Sequence, residues 1–564
     1  MEFLYLLLAA FVFFIVKGLI DKHRNAIKLH QRIEREYGTF NEEDDFNILY
    51  GEDAKVFFAE ERARNDRFVI DDITANDLDL DLIYLMTDKT GSAAGSVCYY
   101  NMLRTPTFDE SELKKREDII SYFSENKEKR VNTQMTFTNM SKSHGFHLYF
   151  ILEQFKSTLD ANAFSQYLNI FLLVAAVIFA VINNTPGSLL FPIGVIIYNI
   201  TTYYMAKSKT DSYIYAIRNI ISIINAGHRL VDADIPVLKE ENEKLKKLLP
   251  KLRPVKKASW AIRETVSMDI GSILLDYANL IFHFDLISLN NAAKSAAKET
   301  DTIIDLYKTV GYIDALICVS SMRASSKKWC VPELTKEGKP HVSFKGAYHF
   351  LLNDPVTSDL DTENHVLITG SNASGKSTFL KTVALNAIFS QTIHTCFAES
   401  YSGSFFKTMT GMSLSDDIVS GESYYITEIK ALKRIMDEGG EYPVLCFVDE
   451  VLRGTNTVER IAASTSSLKY LADQNKLVFA ATHDIELTTL LKDIYLNYHF
   501  EESLDEDGDV YFDYVLKTGP SKTRNAILML KTYGYDERII QNATALAEEF
   551  VASGTWNNPS EAKG

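Results

Sequence analysis

The chain reads HVLITGSNASGKSTFL from residue 365 to residue 380, and this stretch decides the fold of the C-terminal part. Residues 370–377 satisfy the motif G-x-x-x-x-G-K-[ST] and lie between a strand-like run, residues 366–369, and a helical run, residues 377–388. The glycines let backbone N–H groups surround phosphates, and the helix N-terminus adds a favourable dipole. The stretch therefore predicts a phosphate-binding loop in an α/β domain, with Lys376 reaching the β- and γ-phosphates of a nucleotide.

An acidic pair follows a second apolar strand. Residues 444–450 read VLCFVDE, about 80 residues after the loop. We predict that Asp449 holds Mg²⁺ together with Ser377. Glu450 is then placed to orient or deprotonate the attacking water, because that role requires a carboxylate beside the metal but not bound to it.

A third apolar strand, residues 477–481, ends in Thr-His-Asp. A histidine at this point can contact the γ-phosphate and sense its presence. His483 is therefore a third candidate for the catalytic set, beside Lys376 and Glu450.

Composition limits the class of protein. The 564 residues are 46% hydrophobic and 24% charged, which excludes a disordered or fibrous chain. Lys and Arg number 59 and Asp and Glu 75, so the net charge of −16 argues against a protein that coats nucleic acid, while a local basic patch stays open. The five cysteines are scattered and odd in number, as in a reduced cytosolic compartment, so no disulfide or zinc site is predicted.

The hydrophobic residues are concentrated in three segments. Residues 161–206 contain no charged residue, and the runs 164–182 and 188–206 are each close to the ~20 residues that span a bilayer. The turn sequence NNTPG at residues 183–187 separates them, so we predict a transmembrane hairpin. Residues 3–20 predict an uncleaved N-terminal anchor, since no signal-peptide features flank them.

Orientation follows from the basic residues. Lys and Arg follow the N-terminal segment and lie on both sides of the hairpin. Neither residue type occurs at the Met1 end or in the 183–187 turn. The positive-inside rule therefore predicts an integral protein of the cell membrane with its large segments in the cytoplasm. The flanking residues are Lys22, Arg24, Lys28, Arg32, Lys156, Lys207 and Lys209.

The predicted fold class is a multi-domain chain with transmembrane helices, an all-α core and lever region, and a C-terminal α/β P-loop ATPase domain. The predicted divisions are an anchor (1–20), a cytoplasmic helical region (21–160), the transmembrane hairpin (161–206), a helical lever and core region (207–338), the ATPase domain (339–550) and a flexible tail (551–564).

These motifs resemble the ATPase domain of the MutS family, a branch of the ABC-type ATPases. Residues 413–423 match the family's S-D-D-x-x-x-G-x-S signature, and residues 449–457 are close to its D-E-x-x-R-G-T-x-T. Weaker likeness to the family's helical core occurs at residues 70–74, 95–106 and 312–316.

The resemblance implies a homodimer with composite ATP sites. Ser423 of one subunit would meet the γ-phosphate bound by Lys376 of the other, and ATP binding would close the dimer. Phe350 and Leu351 lie in a segment like the one that contacts adenine in this family, and Gln391 falls where many members have a glutamine. The predicted nucleotide-binding set is Gly370, Ser371, Asn372, Ala373, Ser374, Gly375, Lys376, Ser377, Thr378, Phe350, Leu351, Gln391 and Ser423.

The departures from the family limit the predicted function. A membrane anchor and a short polar stretch stand where repair members carry a mismatch-reading domain, so mismatch recognition is not expected. The prediction is a membrane-anchored ATPase that moves its helical arms, with DNA as one client left open. The alternatives are an ABC-like half-transporter and a membrane tether for DNA.

A basic cluster leaves the question of a client open. Seven Lys and Arg fall within residues 244–257. A solvated helix face, an anionic-lipid contact and a nucleic-acid contact all remain as interpretations of it.

Overall fold

The computed structural model describes residues 2–42, 48–140, 142, 147–157, 164–262, 270–371, 374–412, 424–504, 510–521, 527, 530 and 534–556. Contacts divide the chain into two compact units. One comprises residues 1–67, 84–102 and 114–325, and the other residues 68–83, 103–113 and 326–564. The predicted combination of a mostly helical N-terminal region and a C-terminal α/β region is confirmed.

The first unit is helical throughout its described residues. Its boundaries at residues 83/84, 102/103 and 113/114 fall inside helices. Its helices are α1 (Glu2–Glu36), α2 (Ile48–Arg64), α4 (Leu80–Thr87), α5 (Ala93–Arg104), α6 (Glu110–Glu125), α7 (Lys127–Thr138), α8 (Leu148–Ser157), α9 (Phe164–Asn183), α10 (Leu190–Ala233), α11 (Lys239–Leu248), α12 (Arg253–Ala258), α13 (Ile270–Phe282), α14 (Phe284–Lys298) and α15 (Thr300–Ser325).

Close packing of α5 against α15 depends on glycine and on a buried carboxylate. A Cβ on Gly311 would lie 2.4 Å from the Ala94 carbonyl oxygen, so a larger residue would separate the two helices. Asp314 caps the start of α5, because its carboxylate accepts hydrogen bonds from the Ser92 and Gly91 N–H groups at 2.9 and 3.1 Å. Burial raises the pKa of Asp314 to about 6. These contacts hold α5 and α15 in direct backbone contact.

The predicted hairpin segments are helical. α9 matches the first segment. α10 is 44 residues long; it contains most of the second segment and continues beyond it to Ala233. A 3₁₀ turn (Pro186–Leu189) joins them. The predicted N-terminal anchor lies within α1, but most of its first fifteen side chains fall outside the described set, so the anchor stays a prediction.

The second unit is built on a six-stranded sheet. Its elements are α3 (Asp72–Asp77), β1 (Glu333–Thr335), β2 (Val342–Ala347), β3 (Ser358–Thr362), β4 (His365–Thr369), α16 (Lys376–Thr392), β5 (Ser400–Ser404), β6 (Lys407–Gly411), α17 (Tyr424–Asp437), β7 (Val444–Asp449), α18 (Thr457–Ala472), β8 (Lys476–Thr482), α19 (Ile485–Leu490), β9 (Tyr495–His499), β10 (Glu502–Leu504), β11 (Val510–Phe512), β12 (Lys517–Thr518) and α20 (Glu537–Ser553).

The strand order of the main sheet is β12-β9-β4-β8-β7-β6, with all neighbours parallel except β12 and β9. Strands β4, β7 and β8 are almost wholly buried, which explains their continuous apolar sequences. Because β8 lies between β4 and β7, the carboxyl ends of these three strands meet at one edge. A second sheet has the order β1-β5-β2-β3, and β10 pairs with β11.

Helix α3 belongs to this unit although it is distant in sequence. Asp77 is buried, and its Oδ2 accepts hydrogen bonds from Thr410 Oγ1 at 2.6 Å and from the Met412 N–H at 2.9 Å. Asp71 caps α3 and forms an ion pair with Arg434. The predicted layout placed this segment in the helical region, whereas its polar groups hold the end of β6.

Candidate active site

The predicted phosphate-binding loop lies between β4 and α16. Gly370 and Gly375 have φ angles of 149° and 104°, which favour glycine. A Cβ at position 370 would lie 2.6 Å from the Phe500 carbonyl oxygen. The backbone conformation at positions 370 and 375 therefore requires glycine. Asn372 and Ala373 lie outside the described residues.

Lys376 points into the loop. It is buried, and its Nζ donates hydrogen bonds to the carbonyl oxygens of Gly370 and Ser371 at 2.8 and 2.7 Å. Burial lowers the pKa of Lys376, opposed by the carboxylates of Asp449 and Glu450. The cation is thus held at the centre of the loop.

Ser377 and Asp449 meet across the carboxyl edge of the sheet. The Ser377 hydroxyl donates to Asp449 Oδ2, while Asp449 Oδ1 is buried and accepts no hydrogen bond from the described residues. Burial raises the pKa of Asp449. A hydroxyl beside a carboxylate with an unused oxygen is a donor set that fits Mg²⁺, which prefers oxygen ligands.

Glu450 is held by two positive partners. Its Oε1 lies 3.3 Å from His483 Nδ1, and its Oε2 lies 3.2 Å from Arg453 Nη1. These contacts, the hydrogen bond from His483 first, lower the pKa of Glu450 to about 2 and raise that of His483. Glu450 has a φ of 53°, in the left-handed region that is costly for a side-chain-bearing residue. Its N–H donates to the Ala481 carbonyl oxygen, which ties it to β8.

A cavity of about 460 Å³ opens onto these groups. Residues 374–378 and Glu450 line one part, and His349, Leu352 and Tyr514 line another. Burial lowers the pKa of His349 to about 4, so that its ring is neutral at pH 7. Within the described lining, Lys376 therefore supplies the positive charge.

Two predicted nucleotide contacts lie elsewhere. Phe350 is buried with its ring 4.3 Å from that of Phe397, and Gln391 accepts a hydrogen bond from the Phe406 N–H at 2.7 Å. Neither lines the cavity, and Leu351 is also outside its lining. The contact of these three residues with a nucleotide stays a prediction. In the structure, the side chains of Phe350 and Gln391 contact other residues in the core of the unit.

Sequence reasoning missed two residues near the loop. The ring of Tyr514 covers Gly375, since a Cβ there would lie 3.1 Å from Tyr514 Cδ1. Glu502 accepts a hydrogen bond from the Ser371 hydroxyl at 3.0 Å, and its other carboxylate oxygen is buried without a hydrogen bond. Both follow β9 in a segment without a motif, so no sequence signal identified them. The predicted signature at residues 413–423, including Ser423, lies outside the described residues.

Comparison with known proteins agrees with this geometry. The family model "MutS domain V" matches residues 366–551, which include the loop, Asp449, Glu450 and His483. A model of the FtsK/SpoIIIE family matches residues 333–395, which include the loop but not the other two strand ends.

Individual relatives match the same half of the chain. The DNA mismatch repair protein MutS of Natronomonas pharaonis is 30% identical over 264 residues, 45% of this chain and 30% of that protein. The Listeria monocytogenes (serotype 4a) protein of that name is 28% identical over 268 residues, 44% of this chain and 30% of its own. DNA mismatch repair protein MutS 2 of Haloarcula marismortui is 31% identical over 217 residues, 36% of this chain and 22% of its own.

The chain therefore spans less than a third of the length of these relatives. The strand ends that carry the candidate catalytic groups all fall within residues 366–551. Through residues 366–551, which match MutS domain V, the chain is related to the MutS family.

Proposed function

We propose that the chain is a membrane-anchored, MutS-related ATPase that binds ATP with Mg²⁺ at the loop of residues 370–377. The supporting observation is the buried Asp449 Oδ1 without a hydrogen bond, beside the Ser377 hydroxyl and next to Lys376. Ser377 and Asp449 would hold the Mg²⁺, which would offset the negative charge of the bound phosphates. In this proposal Lys376 exchanges its two carbonyl contacts for β- and γ-phosphate oxygens.

Glu450 acts on the attacking water. With a pKa near 2 it stays ionised, and a base this weak is better suited to orienting the water than to removing its proton early in the reaction. His483 and Arg453 hold the carboxylate in place from two sides. His483, whose pKa is raised, is the residue that would contact the γ-phosphate.

A second subunit would complete the site. Lys376 is the charged cation in the described lining, and one lysine with Mg²⁺ leaves part of the triphosphate charge without a donor. Ser423 of a partner subunit is the proposed donor, as the family resemblance implies. This gives a homodimer that closes on ATP and opens after hydrolysis, moving the helical arms.

The ATPase proposal is tested by comparing two lysines of α16. Lys376→Ala should abolish binding of a fluorescent ATP analogue and Mg²⁺-dependent phosphate release by the full chain. The matched control is Lys381→Ala, which removes a partly exposed ion pair with Asp79 worth about 1 kcal/mol at most. Equal ATP binding and hydrolysis by the two variants would refute the site.

The membrane proposal rests on the surfaces of α9 and α10. Within the part of the chain that the structure describes, two helical segments are long and apolar enough to span a bilayer, Phe164–Asn183 and Pro186–Ser208. Only 17% and 11% of their most apolar windows are buried, unlike a helix pair in a soluble core. Large side chains such as Phe171, Ile182 and Ile197 are more than half exposed. Exposure of this extent is unfavourable in water and fits acyl chains.

The proposal does not require DNA as a client and does not assign it as one. The relatives are named as DNA mismatch repair proteins, but the chain covers less than a third of their length. The test is salt-dependent binding of duplex DNA by the solubilised chain, with and without a non-hydrolysable ATP analogue, since phosphate contacts must weaken steeply with salt.

A further inference from the structure

A polar cluster joins the apolar hairpin to the connection between α13 and α14. Asn199 of α10 is 0% exposed, and its Nδ2 donates to the Ile281 carbonyl oxygen at 3.0 Å and to that of Asn169 at 3.4 Å. The Asn199 carbonyl oxygen lies 2.9 Å from His283 Nε2, which must donate because the carbonyl can only accept. Helices α9, α10 and α13 therefore meet at one level of the hairpin.

That level lies well inside the proposed membrane segment. Asn199 precedes Lys207, the first charged residue after the hairpin, by eight residues, or about 12 Å of helix. With Lys207 at the boundary of a hydrocarbon core about 30 Å thick, the cluster is close to the middle of the bilayer. A polar group there is costly unless it is paired. The Nδ2 and the backbone carbonyl of Asn199 are paired with Ile281 and His283, whereas its Oδ1 is buried and accepts no hydrogen bond from the described residues.

The chain enters to this depth and returns. His283 has a φ of 57° and separates α13 from α14. Just after this turn, Asp285 accepts a hydrogen bond from the Tyr203 hydroxyl at 2.8 Å, and Lys207 Nζ donates to the same hydroxyl at 2.9 Å. Contacts along α10 thus move from Asn199 to Tyr203 as the chain passes from His283 to Asp285, towards the charged end of the helix.

Helix α13 exposes an apolar face beside the hairpin. It has 13 residues, about 20 Å of helix, which is too short to span a bilayer. It packs against α9 and α10, while Leu274 and Tyr277, one turn apart, are 65% and 62% exposed. Asp276, between them in sequence, is also exposed and is the charged residue of this helix, so only the side that bears Leu274 and Tyr277 is apolar. That side lies on a helix packed against the hairpin, and acyl chains around the hairpin could also cover it.

Aromatic rings mark the edge of the same region. Trp260 is 60% exposed with its ring 5.4 Å from that of Phe284, which stacks on Phe282 at 5.2 Å. Trp and Tyr favour the membrane interface, where one end of the ring is apolar and the other is hydrated. Lys256 and Lys257 precede Trp260 at the C-terminus of α12.

We propose that α13 and the start of α14 form a re-entrant helical hairpin, with its tip at His283, inserted into the same bilayer as α9 and α10. Acyl chains cover Leu274 and Tyr277, and Asn199 fastens the tip to the spanning hairpin. This inference rests on the proposed membrane hairpin and adds a third inserted element to it.

The test is the environment of a fluorophore on α13 in the full chain, reconstituted in phosphatidylcholine vesicles. Leu274→Cys is coupled to an environment-sensitive dye through a maleimide, and background is measured on the parent chain, whose five cysteines are buried or partly buried. We expect quenching by lipids with a nitroxide on the acyl chain and loss of quenching by aqueous iodide. Val174→Cys, on the exposed face of α9, is the control for the hairpin, and Lys294→Cys on α14 is the aqueous control.

Each outcome decides a separate point. Iodide quenching at Leu274→Cys equal to that at Lys294→Cys would overturn the re-entrant hairpin. Protection from both quenchers would also overturn it and would indicate a protein surface, such as a second copy, over α13. If Val174→Cys is itself quenched by iodide, the spanning hairpin fails; if it is quenched by the lipid nitroxide while Leu274→Cys is not, the re-entrant element alone fails.

Discussion

Replacement of Glu450 by glutamine gives the sharpest test of the catalytic geometry. The substitution keeps the shape of the side chain and removes the charge that faces His483 Nδ1 at 3.3 Å and Arg453 Nη1 at 3.2 Å. Because the amide can still accept a hydrogen bond, the backbone at this left-handed position should be unchanged. The effect therefore isolates the negative charge.

The expected magnitude has a catalytic and a structural part. Loss of a positioned acid–base group lowers turnover by about 10²- to 10⁴-fold. The fall in pKa from 4.5 to about 2 corresponds to roughly 3 kcal/mol of stabilisation of the ionised form. Since the folded pKa is depressed, that stabilisation is present above pH ~4.5 and is lost as the pH falls towards 2. The glutamine variant should lack this dependence and be less stable at pH 7.

Glu450→Gln also changes the pH dependence of ATP binding. The hydrogen bond that His483 donates to Glu450 is the main cause of the raised pKa of His483, so the variant should bring that pKa back towards 6.5. If protonated His483 contacts the γ-phosphate, affinity for ATP should then decline at a lower pH than in the parent chain.

The assay measures phosphate release and the Kd of a fluorescent ATP analogue from pH 5.5 to 9. Glu459→Gln is the matched control, since that carboxylate is outside the cavity lining and accepts a hydrogen bond from Thr455 in the same segment. Turnover by Glu450→Gln within tenfold of Glu459→Gln would refute the role assigned to Glu450.

Four other predictions concern the rest of the molecule. Asp77→Asn should weaken a charge-assisted bond by about 1.5–3 kcal/mol and speed hydrogen exchange at the Met412 amide, and unchanged exchange would contradict its role at the end of β6. Lys376→Ala and Ser423→Ala chains, each inactive, should regain part of the activity when mixed, and no recovery would count against composite sites. A chain without residues 1–20 and 161–206 should leave the membrane on alkaline extraction; retention would mean that another surface binds lipid. Any duplex DNA binding should weaken with rising salt, and none at low salt would exclude DNA as a client.

The site was predictable where chemistry depends on local pattern. The loop at residues 370–377 and the strand before Asp449 combine a motif with an apolar run, and both elements were placed within a few residues of their observed bounds. The two helices of the hairpin were predictable because residues 161–206 are 46 consecutive uncharged residues interrupted by one turn sequence, while their crossing of a membrane stays a proposal. In each case the signal lies within one short segment.

The remainder depends on contacts between distant segments. Asp77 and Thr410 are 333 residues apart, and nothing in the sequence of either shows that they pair. His283 meets Asn199 across 84 residues. Phe350 is buried in the core, whereas Leu352, two residues on, lines the cavity, and the predicted contact of Phe350 with a nucleotide stays a prediction. Which of two nearby apolar side chains faces a ligand is set by packing, which the sequence alone does not express.

The position of the basic cluster at residues 244–257, as well as its charge, bears on which anionic partner could contact it. Two of the acids beside it, Glu240 and Glu241, are paired with Lys115 at 2.8 and 2.7 Å, so the seven Lys and Arg are only partly offset. The cluster ends three residues before Trp260, at the edge of the region proposed to enter the bilayer. Lys256, however, donates to Asn225 Oδ1 at 2.6 Å, and Asn225 follows Lys207 on α10 by 18 residues, or about 27 Å of helix. Headgroups at the level of Lys207 would therefore reach this lysine only if the helical unit moved, and duplex DNA would compete with them for it. Both contacts weaken with salt, so the DNA measurement separates them only when it is repeated with the chain in neutral and in anionic bilayers, where competition should lower DNA binding in the second.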